Sequence, residues 1–368
     1  MNSILFVNLE GRIGGAERSL LFLVKYLRKD FHIAVACPNP SPLARRLAEI
    51  KITSFNLPKP PSRFYSRGLF LIHILKTSFR LTKIVYKVKP VVLHGNSFYA
   101  TVVLLFPAVL TRGKLVWHAR DLTRFGLPSR LCGRFCERVI AVSNAVKDLL
   151  IKQGTKAGKI DIVHNGIEAR DSNLEAQTKP NDAPLKFANV GQFVPWKKQD
   201  IFIKAACRFI QKGGDARFLL VGDDIFGRDC KYKAKLLSQI KNCEIAEKFN
   251  LLGWQENMDE VWRQINCLVH TAEREPFGRV IIEAMAHGVP VIAVDNCGPS
   301  EIIQNGKTGI LVPVNDIGEL SEAMLKIASN ERFSRGLASA GYEQVISKFS
   351  AEKIAVRIRE IYEQILAA

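Results

Sequence analysis

The chain has 368 residues, 47% hydrophobic and 24% charged, which suffices for two ordinary domains with buried cores and excludes a globally disordered chain. A formal net charge of +18, with a pI near 9.6, asks for an anionic partner: nucleic acid, anionic lipid or a phosphorylated small molecule. Apolar runs at 69–75 and 101–110 are too short to span a bilayer and suit buried helix segments, and the first residues lack the basic stretch of a signal peptide.

A strand pattern at 4–7 opens the chain and ends at Asn8. Gly11-Arg-Ile-Gly14-Gly15-Ala-Glu17 follows, then a helix over 16–28. Glycines there let backbone amides approach an anion at a helix N-terminus. The spacing is not the dinucleotide fingerprint, and a tight turn explains the glycines equally well. Further strands are expected at 32–36, 91–94, 114–118 and 139–142, and helices at 42–50, 69–88, 98–110 and 144–153. Alternation of this kind predicts a parallel sheet covered by helices on both faces. In such sheets the ligand site lies at the carboxyl ends of the strands. His94-Gly-Asn96 ends one strand, and His118 ends another in Val116-Trp-His118-Ala-Arg-Asp121. His118 is read either as a hydrogen-bonding partner of a sugar or as a satisfied structural histidine. Glu17, His94, Asn96 and Asp121 are acceptor-side candidates. His164-Asn-Gly is a turn to which no chemistry is assigned.

The helix over 69–88 carries Lys76, Arg80, Lys83 and Lys87 at steps of four, three and four, on one face, with Ile72, Leu75, Phe79 and Ile84 on others. The basic face either rests on anionic lipid headgroups or is an ordinary solvated face. Eight cysteines are scattered singly, apart from Cys132 and Cys136, which read as packing residues one helical turn apart. Nothing in their spacing suggests zinc or redox pairing, so reduced cytosolic thiols are expected, and no metal ligands.

A polar, proline-bearing segment at 169–184 separates the halves. Beyond it, strands are expected at 186–190, 218–222, 251–252, 267–270, 291–294 and 310–312, with helices at 199–212, 231–247, 258–264, 280–287, 300–304, 318–328 and 350–366. Gly191-Gln-Phe-Val-Pro-Trp-Lys197 follows the first of these strands, where a lysine is either a point charge for a diphosphate or a solvated surface residue. Glu275-Pro-Phe-Gly-Arg-Val-Ile-Ile-Glu283 sets two carboxylates eight positions apart across a loop entering a helix. Carboxylates so placed accept hydrogen bonds from sugar hydroxyls, and the helix start offers N–H groups to a phosphate.

Several of these segments, in order and over nearly the whole chain, make it resemble the retaining glycosyltransferases of family 4, which have the GT-B fold. The matches are Gly14-Gly15-Ala-Glu17, His118, Val142-Ser143, Val163-His-Asn-Gly-Ile167, Gly191 to Lys197, Val221-Gly-Asp223, Leu252-Gly-Trp254, Glu275 to Val291 and Gly306 to Pro313. The resemblance implies two doubly wound Rossmann-like α/β domains facing across a central cleft. An acceptor domain would span 1–170, a linker 171–184 and a nucleotide-sugar donor domain 185–349, with a helix at 350–368 crossing back to the first domain. It implies that Glu275 holds hydroxyls of the donor sugar, Phe277 and Gly278 offer backbone amides, Glu283 binds the ribose and Lys197 stabilises the departing diphosphate. Gly14 and Gly15 would let the backbone meet the phosphates, His118 would contact the donor sugar and Trp254 would lie near the base. Where the family usually has arginine this chain has Gln192, and Arg279 is expected to compensate.

The expected reaction moves a sugar, with retention, from a nucleotide-diphosphate sugar to a saccharide or lipid-linked acceptor, in cell-surface polysaccharide or lipopolysaccharide synthesis. The site is expected in the cytoplasm, peripheral at the inner face of the cytoplasmic membrane, with no cofactor, no metal and no nucleic acid. Alternatives are a nucleotide-sugar epimerase on the same fold and a basic nucleic-acid-binding protein, although no zinc-finger, RNA-recognition or helix-turn-helix pattern is present.

Overall fold

The computed structural model describes residues 1–59, 67–168, 184–225, 227 and 229–367. The chain divides into two units, one of Met1–Glu168 with Ser350–Ala368 and one of Ala169–Phe349. The linker expected at 171–184 lies, apart from its last residue, outside the described residues.

The first unit holds strands β1 (Ser3–Val7), β2 (His32–Pro38), β3 (Thr53–Leu57), β4 (Val92–Gly95), β5 (Lys114–Ala119), β6 (Arg138–Ala141) and β7 (Ile160–Ile162). All pair in parallel, in the order β3-β2-β1-β4-β5-β6-β7. Helices α1 (Gly15–Leu27), α2 (Pro42–Glu49), α3 (Arg67–Val88), α4 (Phe98–Thr111), α5 (Leu127–Phe135) and α6 (Asn144–Lys152) connect them. Central strands such as β1 and β4 are apolar on both faces because helices cover both, so their sequence shows runs rather than alternation. Serine N-caps start three of the helices: Ser41, Ser97 and Ser143 each accept a hydrogen bond from the backbone N–H three residues on.

The second unit repeats the plan. Strands β8 (Lys186–Val190), β9 (Arg217–Val221), β10 (Phe249–Gly253), β11 (Cys267–His270), β12 (Val291–Val294) and β13 (Ile310–Val312) are parallel, in the order β10-β9-β8-β11-β12-β13. Its helices are α7 (Gln199–Gln211), α8 (Cys230–Lys241), α9 (Met258–Gln264), α10 (Arg279–Ala286), α11 (Gly298–Ile302), α12 (Ile317–Ser329) and α13 (Glu331–Lys348). Phe187, Phe202, Phe209, Phe218 and Phe249 fill the core on one side of the sheet. The chain ends in α14 (Ala351–Ala367), which belongs to the first unit and packs on α1 through Ile358, Ile361, Tyr362 and Ile365.

In each sheet the strand order reverses at one place, between β1 and β4 and between β8 and β11. Connections leave these neighbouring strands toward opposite sides and open a crevice at their carboxyl ends. Both candidate sites described below sit at such a reversal.

Two expectations need correction. The run at 69–75 is not a buried segment, since Leu69, Leu71, Ile72 and Leu75 are exposed, and the run at 101–110 is buried on one face only, through Thr101, Val103, Leu104, Pro107 and Ala108, with Phe106, Val109 and Leu110 exposed. The face of α3 turned inward holds Thr77, Ser78 and Thr82 beside Leu81, Ile84 and Val85, with the Ser78 hydroxyl donating to the Val103 carbonyl of α4 at 2.9 Å. Nor are all eight cysteines free, since Cys207 of α7 and Cys243, just beyond α8, are joined as a disulfide. Their spacing of 36 residues carries no pairing signal until α7 and α8 are packed together.

Candidate active site

In the second unit, the loop after β8 carries Lys197 and the loop after β11 carries Glu275, and the two side chains form an ion pair at the strand reversal. Both loops are fixed by the backbone. The Thr271 hydroxyl donates to the Lys197 carbonyl at 2.9 Å, and the Glu273 N–H donates to the Trp196 carbonyl at 2.9 Å. Asn189, at the end of β8, donates to the Val269 carbonyl at 2.8 Å and the Thr271 hydroxyl at 3.0 Å. Lys197 also lies over the Trp196 ring, 4.6 Å from its centroid.

His270, the last residue of β11, stands 3.2 Å from the same Glu275 oxygen that meets Lys197. Burial lowers the His270 pKa, so the ring is neutral near neutral pH. Burial alone would raise the Glu275 carboxyl, yet the Lys197 ammonium and His270 outweigh it and hold it at about 2. The carboxylate is therefore ionised at neutral pH and acts as a hydrogen-bond acceptor.

Gly278 turns the chain from this loop into α10 with φ +100°, a conformation that favours glycine. Phe277 is buried beside Phe349, at 5.8 Å between ring centroids. One turn into α10, Arg279 and Glu283 form an ion pair at 2.9 Å, both nearly buried. Arg279 is thus paired with Glu283, the residue expected to hold a ribose. The Gln192 carbonyl accepts from the Gln199 amide at 2.8 Å. Trp254, just past β10, is exposed.

The first unit builds a polar network at its own reversal. Asn8 ends β1, and its amide donates to Glu17 at 3.2 Å while its oxygen accepts from Asn96 at 2.8 Å. The other Glu17 oxygen accepts from the Gly14 N–H at 3.0 Å and caps α1, ahead of Gly15. Burial raises the Glu17 pKa. Arg120 donates to Asn96 at 3.0 and 3.2 Å, to Asn165 at 2.6 Å and to His118 Nδ1 at 3.3 Å. His94 lies behind, fully buried, with Nε2 3.2 Å from His118 Nδ1 and Nδ1 2.6 Å from the Tyr362 hydroxyl of α14.

These contacts fix the tautomers. Burial raises the Tyr362 pKa and lowers both histidine pKa values, that of His94 to about 3, so the phenol keeps its proton and both rings are neutral. Tyr362 donates to His94 Nδ1, and His94 Nε2–H donates to His118 Nδ1, which also accepts from Arg120. The His118 proton is therefore on Nε2, and that atom is buried with no acceptor among the described residues. His118 borders a cavity of about 10 Å³ that is also lined by Ser19, Arg120, Asn165 and Ile358.

The structure thus brings Lys197 and Glu275 together, sets Glu283 against Arg279, and joins Glu17, His94, Asn96 and His118 in one network. His94 lies behind His118 with both nitrogens engaged, so it presents nothing to an acceptor. Asp121 is exposed past β5, outside that network. Sequence reasoning missed His270, Arg120, Asn165 and Tyr362. The rule that singled out His118, a histidine at a strand's carboxyl end, applied equally to His270. No sequence signal tied Tyr362 to His94 across 268 positions. No group of three or more histidine, cysteine or acidic residues gathers to hold a metal among the described residues.

Two family models match the chain in succession: Glycosyltransferase Family 4 over residues 13–171 and Glycosyl transferases group 1 over residues 171–344. The chain is 28% identical over 261 residues to the N-acetyl-alpha-D-glucosaminyl L-malate synthase of Bacillus anthracis, covering 68% of this chain and 67% of that one. It is 26% identical over 335 residues to a GDP-mannose-dependent alpha-mannosyltransferase of Mycobacterium tuberculosis, covering 83% and 82%. The crystal structure of Anabaena Alr3699/HepE in complex with UDP and glucose is similar with a TM-score of 0.84 at 24% identity, over 99% of this chain and 100% of that one. That likeness carries the fold, the GT-B architecture of two doubly wound α/β domains.

Proposed function

The chain belongs to the group 1 glycosyl transferases, and from that premise we propose that it moves a sugar from a nucleoside-diphosphate sugar to a hydroxyl of a saccharide or lipid-linked saccharide, with retention at the anomeric carbon and without a metal. The donor site is the Lys197–Glu275 pair with the start of α10, in the second unit. The observation that carries this reading is the buried ion pair at the strand reversal, where a fixed cation and an ionised carboxylate stand together.

A nucleoside diphosphate leaves as a weak base, so its departure needs charge stabilisation more than a strong acid. Lys197 supplies a positive charge from a pinned loop, and the N-terminal end of α10 adds the positive end of its dipole. Glu275, held ionised, accepts hydrogen bonds from hydroxyls of the bound sugar. At a pKa of about 2 it is poorly suited to donate a proton to the leaving oxygen. In the transfer, the anomeric carbon–phosphate oxygen bond breaks as the bond to the acceptor oxygen forms on the same face. The acceptor's proton passes to an oxygen of the leaving phosphate. Glu283, oriented by Arg279, accepts from the ribose hydroxyls. His118 offers one fixed N–H to a hydroxyl of substrate.

A neighbouring fold holds UDP and glucose, and one relative is named for GDP-mannose, so the base is read from binding. Purified protein titrated with UDP-, GDP-, ADP- and dTDP-sugars should select one, and Lys197→Ala and Glu275→Ala should each weaken it by roughly 2–3 kcal/mol, as for a charge-assisted hydrogen bond. Unchanged affinity in both folded variants would remove the site assignment. Turnover that persists in a chelator, with the product anomer read by NMR, tests metal independence and retention.

A further inference from the structure

We propose that the outer faces of α3 and α4, continued by α5, form a docking surface that inserts into the interface of an anionic lipid bilayer without crossing it. The inference rests on this surface alone and does not need the transfer reaction, so vesicle binding and sugar transfer succeed or fail separately.

Three observations carry it. First, the outer face of α3 is apolar over its first half, although Leu81, Ile84 and Val85 are buried further on. The hydroxyl side chains Thr77, Ser78 and Thr82 are buried, while Leu75 is 51% exposed and Phe79 60% exposed. On α4, Phe106 and Val109 are exposed, the latter by 62%. Of twenty large hydrophobic side chains exposed among the described residues, thirteen stand on α3, α4 and α5. The patch is continuous, since the rings of Phe79 and Phe106 meet at 5.5 Å between centroids and those of Phe70 and Tyr99 at 5.5 Å. Apolar patches of this kind on a protein surface mark a partner or a membrane.

Second, the charge on these helices has one sign. α3, α4 and α5 together carry seven lysines and arginines and no aspartate or glutamate. Lys76, Arg80, Lys83 and Lys87 stand exposed on α3 among its apolar side chains, and Arg130 and Arg134 on α5. Lys76, Arg80 and Lys83 have no carboxylate partner among the described residues. A second copy of the chain would bring like charges together, which opposes self-association through this face. An anionic bilayer surface meets both requirements at once, with acyl chains for the rings and phosphates for the ammonium and guanidinium groups.

Third, no described helix is long and apolar enough to cross a membrane. α3 interleaves its apolar and basic side chains, and α4, with 14 residues, falls short of a span. The pattern fits helices lying in the interfacial plane.

The test uses the full-length protein without donor, sedimented with phosphatidylcholine vesicles with and without phosphatidylglycerol. Binding is expected only with phosphatidylglycerol, and Lys76→Gln and Lys83→Gln should each weaken it roughly five-fold. Phe79→Ser with Phe106→Ser should abolish the part that survives high salt. Phe79→Trp should become quenched by lipids brominated in their acyl chains. Equal binding to neutral and anionic vesicles, unchanged binding in the charge variants, or an unquenched Phe79→Trp on bound vesicles would overturn the proposal. So would a dimer in light scattering that Phe79→Ser with Phe106→Ser dissolves. Circular dichroism and thermal midpoints matching the parent show that the variants are folded.

Discussion

At the scale of single residues, His118 is set up by a chain of donors rather than by its own position. Tyr362 gives a proton to His94, and His94 to His118, which leaves one N–H at Nε2. Tyr362→Phe strands a buried acceptor on His94, which should cost about 1–3 kcal/mol and let the His118 proton redistribute between its nitrogens. Imidazole nitrogen shifts in NMR read this directly, and a single unchanged tautomer would refute it. His94 also titrates predictably. Its folded pKa lies at about 3, below the ordinary 6.5, so the unfolded chain binds more protons below pH 6.5. Stability is thus full above that pH and falls as the pH drops toward 3, by up to about 1.4 kcal/mol per pH unit. His94→Gln keeps an acceptor toward Tyr362 and a donor toward His118 but cannot titrate. Its thermal midpoint should match the parent at pH 8 and fall less steeply below pH 6.5.

At the scale of elements, α11 braces the loop that holds Glu275. The Gly298 N–H donates to the Glu275 carbonyl at 3.0 Å, and a Cβ on Gly298 would lie 2.2 Å from the Phe277 carbonyl oxygen. Gly298→Ala should therefore displace the loop and weaken donor binding by about 1–3 kcal/mol, with the helical content kept. Unchanged donor affinity would mean the loop yields without moving Glu275. Elements of this kind were unevenly legible in the sequence. Central strands such as β8, β11 and β12 announce themselves as short apolar runs because both faces are covered. β3 and β7 lie at the sheet edges, where Thr53–Leu57 is half-polar and Ile160–Ile162 spans three residues, so neither gives a run to read. α13 is obscured by the two glycines in its apolar pattern. α3 misled for the opposite reason: the apolar residues Leu69, Leu71, Ile72, Leu75 and Phe79 of its first half face outward, and periodicity cannot say which face of a helix is buried.

At the scale of the whole molecule, the same strand order appears twice, and it decides where chemistry collects. Lys197 and Glu275 are 78 positions apart in sequence but follow neighbouring strands at the reversal, as do Asn8 and Asn96. The candidate residues were legible because strand ends are legible. Their partners were not, because Arg120–Asn165 and Tyr362–His94 depend on which loops and helices the fold stacks beside them. The two units should also respond differently to acid. The first unit holds two buried neutral histidines, His94 and His118, whereas the second holds one, His270, whose neighbour Glu275 favours the charged ring, so the first loses more stability per pH unit below 6.5. Fluorescence from Trp117, buried in the first unit, should therefore report unfolding at a higher pH than that from Trp262, buried in the second. Coincident transitions would contradict independent titration.

The last helix gives the chain an order of assembly. Unit 1 is made from two separate stretches of the sequence, while unit 2 is one uninterrupted stretch between them. On a ribosome the middle of the protein can therefore close first, as the opening strands wait for a helix not yet synthesised. A chain cut short after Phe349 would leave Ile358, Ile361 and Tyr362 missing from an otherwise complete sheet. Such a product would keep its lysine–glutamate pair yet expose an apolar groove along α1, a surface by which chaperones and proteases tell an unfinished molecule from a finished one.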